Sequence, residues 1–198
     1  QIASAAFVVV ATGLAILAFT IQNDWGTPVV ILGLVILGLG EGALLTLLFN
    51  VLLTGSPKEL AGDVGAVRGV ANNLSTALGT AFASVVAVSL LSVFILNNLA
   101  NNPAIPPALK SQVNLDSIDF VSNDQLLGTL SATTATPAQV AEAVLINEAA
   151  RLRALRAAFL MLAGIALLAI IPARGLPRYN PSEIPVEGPE KSAGRVRP

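Results

Sequence analysis

Glu41 is the lone charge within Val29–Leu53, a run otherwise free of ionisable residues. A carboxylate at hydrocarbon depth costs about 2.5–3.5 kcal/mol on insertion scales, so it is retained where it pairs, protonates or lines a water path. Two accounts fit it. In the structural one it is hydrogen-bonded to a polar group of a neighbouring helix and stays fixed. In the functional one it takes up and releases a proton as a cavity opens to either side, coupling proton flow to cargo. A second set of groups sits on the next apolar run. There Gly65, Gly69, Asn72, Thr76, Gly79, Thr80, Ala83 and Ala87 fall within roughly a third of a helix circumference, with Asn73 beside them. The Gly65-x-x-x-Gly69 step fits a tight helix–helix contact sealed by Asn and Thr hydrogen bonds, and the same amides and hydroxyls fit the wall of a wet cavity. Glu41, Asn72, Asn73 and Thr76 are therefore the candidate proton or substrate groups. Gly38, Gly40, Gly42, Gly65, Gly69 and Gly79 are the candidate helix-packing positions.

Other chemistry is excluded by composition. The 198 residues include no Cys and no His, which removes disulfides, thiol nucleophiles, Cys/His zinc sites, haem axial His and a Ser-His-Asp triad within this chain. No Ser, Asp and Lys set has nucleophile-and-base spacing, so neither an enzyme nor a cofactor or metal is expected. Eleven basic residues against twelve acidic give a formal net charge of −1 with no long basic block, so no nucleic-acid partner is expected. Only 12% of residues are charged and 54% are hydrophobic, against about 25% charge in a soluble domain. The expected fold is an all-α integral membrane protein with four transmembrane helices, its first partner the lipid bilayer.

The apolar runs place those helices. Ile2–Ile21 carries no charge and is long enough, at about 1.5 Å per residue, to cross a hydrocarbon core of about 30 Å. No basic segment precedes it, so it does not read as a signal peptide, and because the chain opens at Gln1 without Met its start is expected to lie upstream. The polar turn Gln22–Thr27 holds Trp25, suited to an interface, and Pro28 suits the first turn of the next helix. The second span is Val29–Leu53, whose glycines, Gly33 among them, let neighbouring backbones approach inside a membrane. A short charged connection, Thr54–Asp63, leads to the third span, Val64–Leu96. Residues 97–156 form a polar insertion whose first half, with Pro103, Pro106 and Pro107, reads as irregular. Thr136-Pro137-Ala138-Gln139 has the spacing of an N-cap, a first-turn Pro and a reciprocating Gln, which predicts an amphipathic helix from about 137 running into the last span, Ala157–Ala173. Pro172 is expected to end that span, and the Pro-rich tail 174–198 to stay flexible. Arg68 is expected to pair with Asp63 or Glu59 or to snorkel, and Arg151, Arg153 and Arg156, next to Glu148, to form a solvated or interfacial helix face.

Basic residues flanking the spans set orientation. The first turn has no Lys or Arg, whereas Lys58 and Arg68 lie at the second connection and Arg174, Arg178, Lys191, Arg195 and Arg197 in the tail. The positive-inside rule puts that connection and the carboxy terminus in the cytoplasm and the 97–156 insertion outside, although Arg151, Arg153 and Arg156 count against it.

Taken together, Gly38-Leu39-Gly40-Glu41-Gly42, the segment Ser56-Pro57-Lys58-Glu59-Leu60-Ala61-Gly62 and the stretch Gly69–Gly79 resemble the late helices of the major facilitator superfamily, most nearly its 14-helix drug/proton antiporter branch. That branch shows a Gly-rich helix, a short loop with Pro and an Ala-Gly pair, a helix with an Asn and a Leu-Gly step, a long external loop and one last helix, and the whole chain fits that order. The resemblance implies that the four spans are the last four of such a transporter, in its C-terminal bundle at the inner (plasma) membrane. The second and third would line the substrate cavity, and the first and fourth would lie nearer lipid. It implies proton-coupled efflux of drugs or other small molecules by alternating access. A four-span piece cannot form both halves of such a cavity, so the missing N-terminal helices of the same transporter become an implied partner, with protons and small-molecule cargo. The alternative is a free-standing four-span scaffold or assembly subunit acting through its Gly-rich faces.

Overall fold

The computed structural model describes residues 2–56, 60–103, 121–132 and 135–176, and among them the chain forms six α-helices and no strand. In order these are α1 (Ile2–Thr20), α2 (Pro28–Thr54), α3 (Ala61–Ala100), α4 (Asn123–Ser131), α5 (Pro137–Leu168) and the single turn α6 (Ile170–Ala173). Four stretches are long and apolar enough to cross a membrane: α1, α2, 62–100 of α3, and α5 with α6. The chain is thus an all-α protein of the multi-pass membrane type.

Local chemistry explains the ends. Thr27 is extended and Pro28 takes the first helical position of α2, where its missing N–H costs nothing. Thr136 caps α5 through its hydroxyl, which accepts from the Gln139 backbone N–H, while the Gln139 side chain accepts from the Thr136 N–H. The same reciprocal pair, Ser122 with Gln125, starts α4 at the end of the half of the insertion expected to be irregular. At the other end, Pro172 has no N–H to donate to the carbonyl of Leu168, and the long helix breaks at Ala169, one turn before the proline rather than at it. Pro172 itself sits within α6. Within the spans, Thr12, Thr20, Thr46, Thr54 and Ser92 each donate the hydroxyl to the carbonyl four residues earlier, at 2.7–3.0 Å. Those hydroxyls are satisfied inside their own helix, as a lipid environment demands.

α1 lies between α2 and α5 and supplies most of the core. Val10, Ala11 and Leu14 pack with Ala163 and Ala166 of α5, flanked by Phe7, Leu37, Leu44, Phe159 and Leu162. α3 stands apart from this trio along most of its length. It joins α5 through a second cluster in which Leu91 is fully buried against Ala150 and Ala154, with Leu90, Phe94 and Ile95 beside it. The two alanines let α3 come close there.

Two contacts fix the levels at which a bilayer would cut the bundle. Arg156 donates to the Ile21 carbonyl at 3.3 Å, so the start of the last span and the end of the first share one level. The Arg68 guanidinium lies 4.2 Å from the centre of the Phe49 ring, joining the ends of the second and third spans at the opposite level. From residue 29 to Phe49 is 20 residues, about 30 Å of helix, which matches a hydrocarbon core. By the same measure α5 runs about 28 Å beyond the Arg156 level, and α3 follows it with its last turns, because packing on α5 carries it past Leu96 to Ala100. The pair forms a stalk at the α4 end of the molecule. The tail from residue 177 and the segment 104–120 lie outside the described residues, as do Lys58, Glu59, Asp116 and Asp119.

Candidate functional site

α2 turns one face to α1. Gly33, Leu37 and Gly40 recur at helical spacing along it, and glycine is required at two points of the contact. A Cβ on Gly40 would meet Val10 Cγ2 at 2.7 Å and the Val10 backbone N at 2.8 Å. A Cβ on Gly13 would meet the Leu37 backbone N at 2.7 Å and its Cα at 2.9 Å. Gly33 is nearly as tight, against Leu17. Of the glycines proposed for packing, Gly40 and Gly33 thus make such an approach within this chain. At Gly38, Gly42, Gly65, Gly69 and Gly79 a Cβ would meet nothing within 4 Å. Gly13 escaped the sequence reading because a lone glycine in an apolar run has no local signal, and only the facing helix gives it meaning.

One residue after Gly40, and so about 100° around α2, Glu41 leaves the α1 contact and is exposed. Across the α2–α3 corner every residue from Gly69 to Phe82 is also exposed, including Asn72, Asn73 and Thr76. The corner sets their depth. Glu41 is eight residues from Phe49 and Thr76 eight residues from Arg68, so each sits about 12 Å inside the Phe49–Arg68 contact. Asn72 and Asn73 are about one turn nearer the corner. The structure therefore brings the carboxylate and the Thr76 hydroxyl to one level in the inner part of an apolar slab, on two helices that touch sparingly. Unlike the threonines of α1 and the Gly42-bonded Thr46, none of these four groups makes a side-chain hydrogen bond among the described residues. Arg68, expected to pair with Asp63 or Glu59 or to snorkel, stacks on Phe49; no ion pair with Asp63 forms, and Glu59 lies outside the described residues.

A carboxylate, two amides and a hydroxyl left open at this depth have the composition of a proton- or cation-handling surface, provided that protein or water covers them. An apolar groove lies elsewhere. It measures about 560 Å³, runs along the outer side of α1 and is walled by Val8, Thr12, Phe19, Leu32 and Leu167. Its two threonines, Thr12 and Thr20, are already bonded to the Val8 and Ile16 carbonyls, so it offers shape without polar chemistry.

A second polar assembly, missed in the sequence, lies on the stalk. Asn147 is 6% exposed, and its Nδ2 donates to the Val121 carbonyl and to Asn123 Oδ1, each at 3.1 Å. Arg151 donates to the same Val121 carbonyl at 3.2 Å, and Asn123 donates to Glu148 at 3.3 Å. Asn102, at the end of α3, donates to Glu142. The signal was present: Asn147 falls on the Ala150 and Ala154 side of the helix, where a polar residue needs a partner. Of the three arginines of that face, Arg153 and Arg156 are exposed and Arg151 half-buried; Arg151 and Arg156 donate to carbonyls of neighbouring segments, and Arg153 reaches Asn98 at 3.4 Å.

Comparisons of the chain with protein-family models, with curated proteins and with solved structures found no match.

Proposed function

We propose that the chain is the carboxy-terminal portion of a proton-coupled exporter of drugs or other small molecules, built on the major facilitator plan and working by alternating access. One observation carries the reading: Glu41, Asn72, Asn73 and Thr76 are open and without side-chain partners at hydrocarbon depth, while the hydroxyls of α1 close on their own helix. Lipid is a poor neighbour for such groups, and a wet cavity completed by further helices of the same transporter is a good one. The resemblance of the Gly38–Gly42 and Gly69–Gly79 segments to late helices of that superfamily supports the same assignment. Glu41 is the proton or cation site, Asn72, Asn73 and Thr76 are cavity groups, and α1 and α5 are the lipid-side wall. The carboxy terminus lies in the cytoplasm and the α4 end outside the inner membrane.

The test uses the complete transporter in proteoliposomes. Glu41→Gln abolishes cargo-driven proton release while the protein inserts normally; release at the unaltered rate removes Glu41 from the mechanism. A second reading, a scaffold subunit, draws on the open Gly65–Gly69 face, which suits another helix as well as it suits water. An in-frame upstream extension with further apolar spans supports the exporter, and a start codon directly before Gln1 supports the scaffold.

A further inference from the structure

We infer that α4 is a detachable strap, latched onto the α3–α5 stalk by hydrogen bonds and free to lift while the stalk stays folded. This inference rests on the geometry of the α4 end alone and is independent of the transport reading.

The strap and the stalk are held by different forces. Stalk packing is apolar and close: Leu91, Ala150 and Ala154 are fully buried at its contact. α4 buries no residue of its own; Leu126 and Leu130 are half covered and Leu127 is 48% exposed. A nine-residue helix does not stand alone in water, so its order depends on what fastens it. The fastening is concentrated in the first residues of the segment. Both hydrogens of the Asn147 amide are committed, one to the Val121 carbonyl and one to Asn123 Oδ1, and that carbonyl also accepts from Arg151. Asn123 in turn donates to Glu148, and these four bonds among the described residues converge on Val121 and Asn123.

Such a latch has two consequences. Exchanging hydrogen bonds with water costs little net free energy, so the strap belongs to the low-stability end of the molecule, whereas prying α3 from α5 exposes apolar surface. A buried amide freed of its partners is also costly, so the strap is either latched or away, with no favourable half-open state. Asn147 is the positioning residue of this two-state element, and α4 is its moving part.

Hydrogen exchange by mass spectrometry on the whole chain in nanodiscs tests it. Amides 127–132 exchange at least about tenfold faster than amides 146–154, and Asn147→Ala speeds α4 by a further tenfold or more with the stalk unchanged. If Asn147→Ala fails to fold, Asn123→Ala reads the same latch from the strap side, with the same expected pattern. Equal protection of α4 and the stalk, or acceleration of both together by Asn123→Ala, overturns the inference.

Discussion

Gly13→Ala adds one carbon to each molecule and, like Gly40→Ala, places it against the backbone of the facing helix in the α1–α2 contact. The new Cβ would stand 2.7 Å from the Leu37 backbone N and 2.9 Å from its Cα. Ordinary carbon contacts lie at about 3.5–4.0 Å, so the helices must part by about 1 Å. The obstacle is backbone, which no rotamer change moves aside. Overpacking of this kind costs about 1–3 kcal/mol, which lowers the folding equilibrium constant about 5- to 150-fold. Gly38→Ala is the matched control, because its Cβ would meet nothing within 4 Å while the substitution removes a flexible helix position worth up to about 1 kcal/mol in water. Denaturant titration in detergent, followed by far-ultraviolet circular dichroism and by the fluorescence of Trp25 in the α1–α2 turn, measures both. Trp25 is the only tryptophan of the chain, so its signal reports this hairpin directly. Gly13→Ala as stable as the parent, or Gly38→Ala as damaged as Gly13→Ala, refutes the packing argument.

Other substitutions probe the corner, the cap and the open face. A double-mutant cycle with Arg68→Ala and Phe49→Leu gives a coupling of about 0.5–2 kcal/mol from the stacked pair, and a value near zero shows that the guanidinium is held by something else. Thr136→Ala loses the hydroxyl that accepts from the Gln139 N–H; stability falls by about 1 kcal/mol, and hydrogen exchange quickens at the start of α5 before anywhere else. Gly65→Leu with Gly69→Leu leaves the folded four-span chain intact by circular dichroism, because both Cβ positions are open. In the complete transporter the same pair separates the two roles of this face: lost yield marks a packed helix there, and normal yield with an altered substrate range marks a cavity wall.

What the sequence disclosed about the fold was whatever depends on single segments. The long apolar runs give the four spans, because apolar length decides whether a helix can cross a bilayer. The Thr136 capping box gives the start of α5 to the residue. The identical spacing at Ser122 and Gln125 was equally available, yet it was lost among polar residues because no long apolar run follows to advertise a helix. What depends on neighbours stayed hidden. Gly40 and Gly38 are two residues apart in the same apolar context, and only the approach of Val10 distinguishes the crowded one from the open one. Arg68 had carboxylates nearby in the chain, but helix geometry brought Phe49 to it first. For the candidate site, depth was legible from position within the spans. Exposure was not, since it follows from α3 leaving the bundle between its two points of attachment.

The length of α3 has a mechanical meaning. Forty residues make a rod of about 60 Å that passes uninterrupted from the Phe49 corner through the slab and into the stalk. No proline occurs along it to absorb bending. A tilt of about 10° pivoting on Arg68 would carry its far tip, about 48 Å away, sideways by roughly 8 Å. α3 thereby joins, in one uninterrupted helix, the level shared by Glu41 and Thr76 to the stalk contact at Leu91.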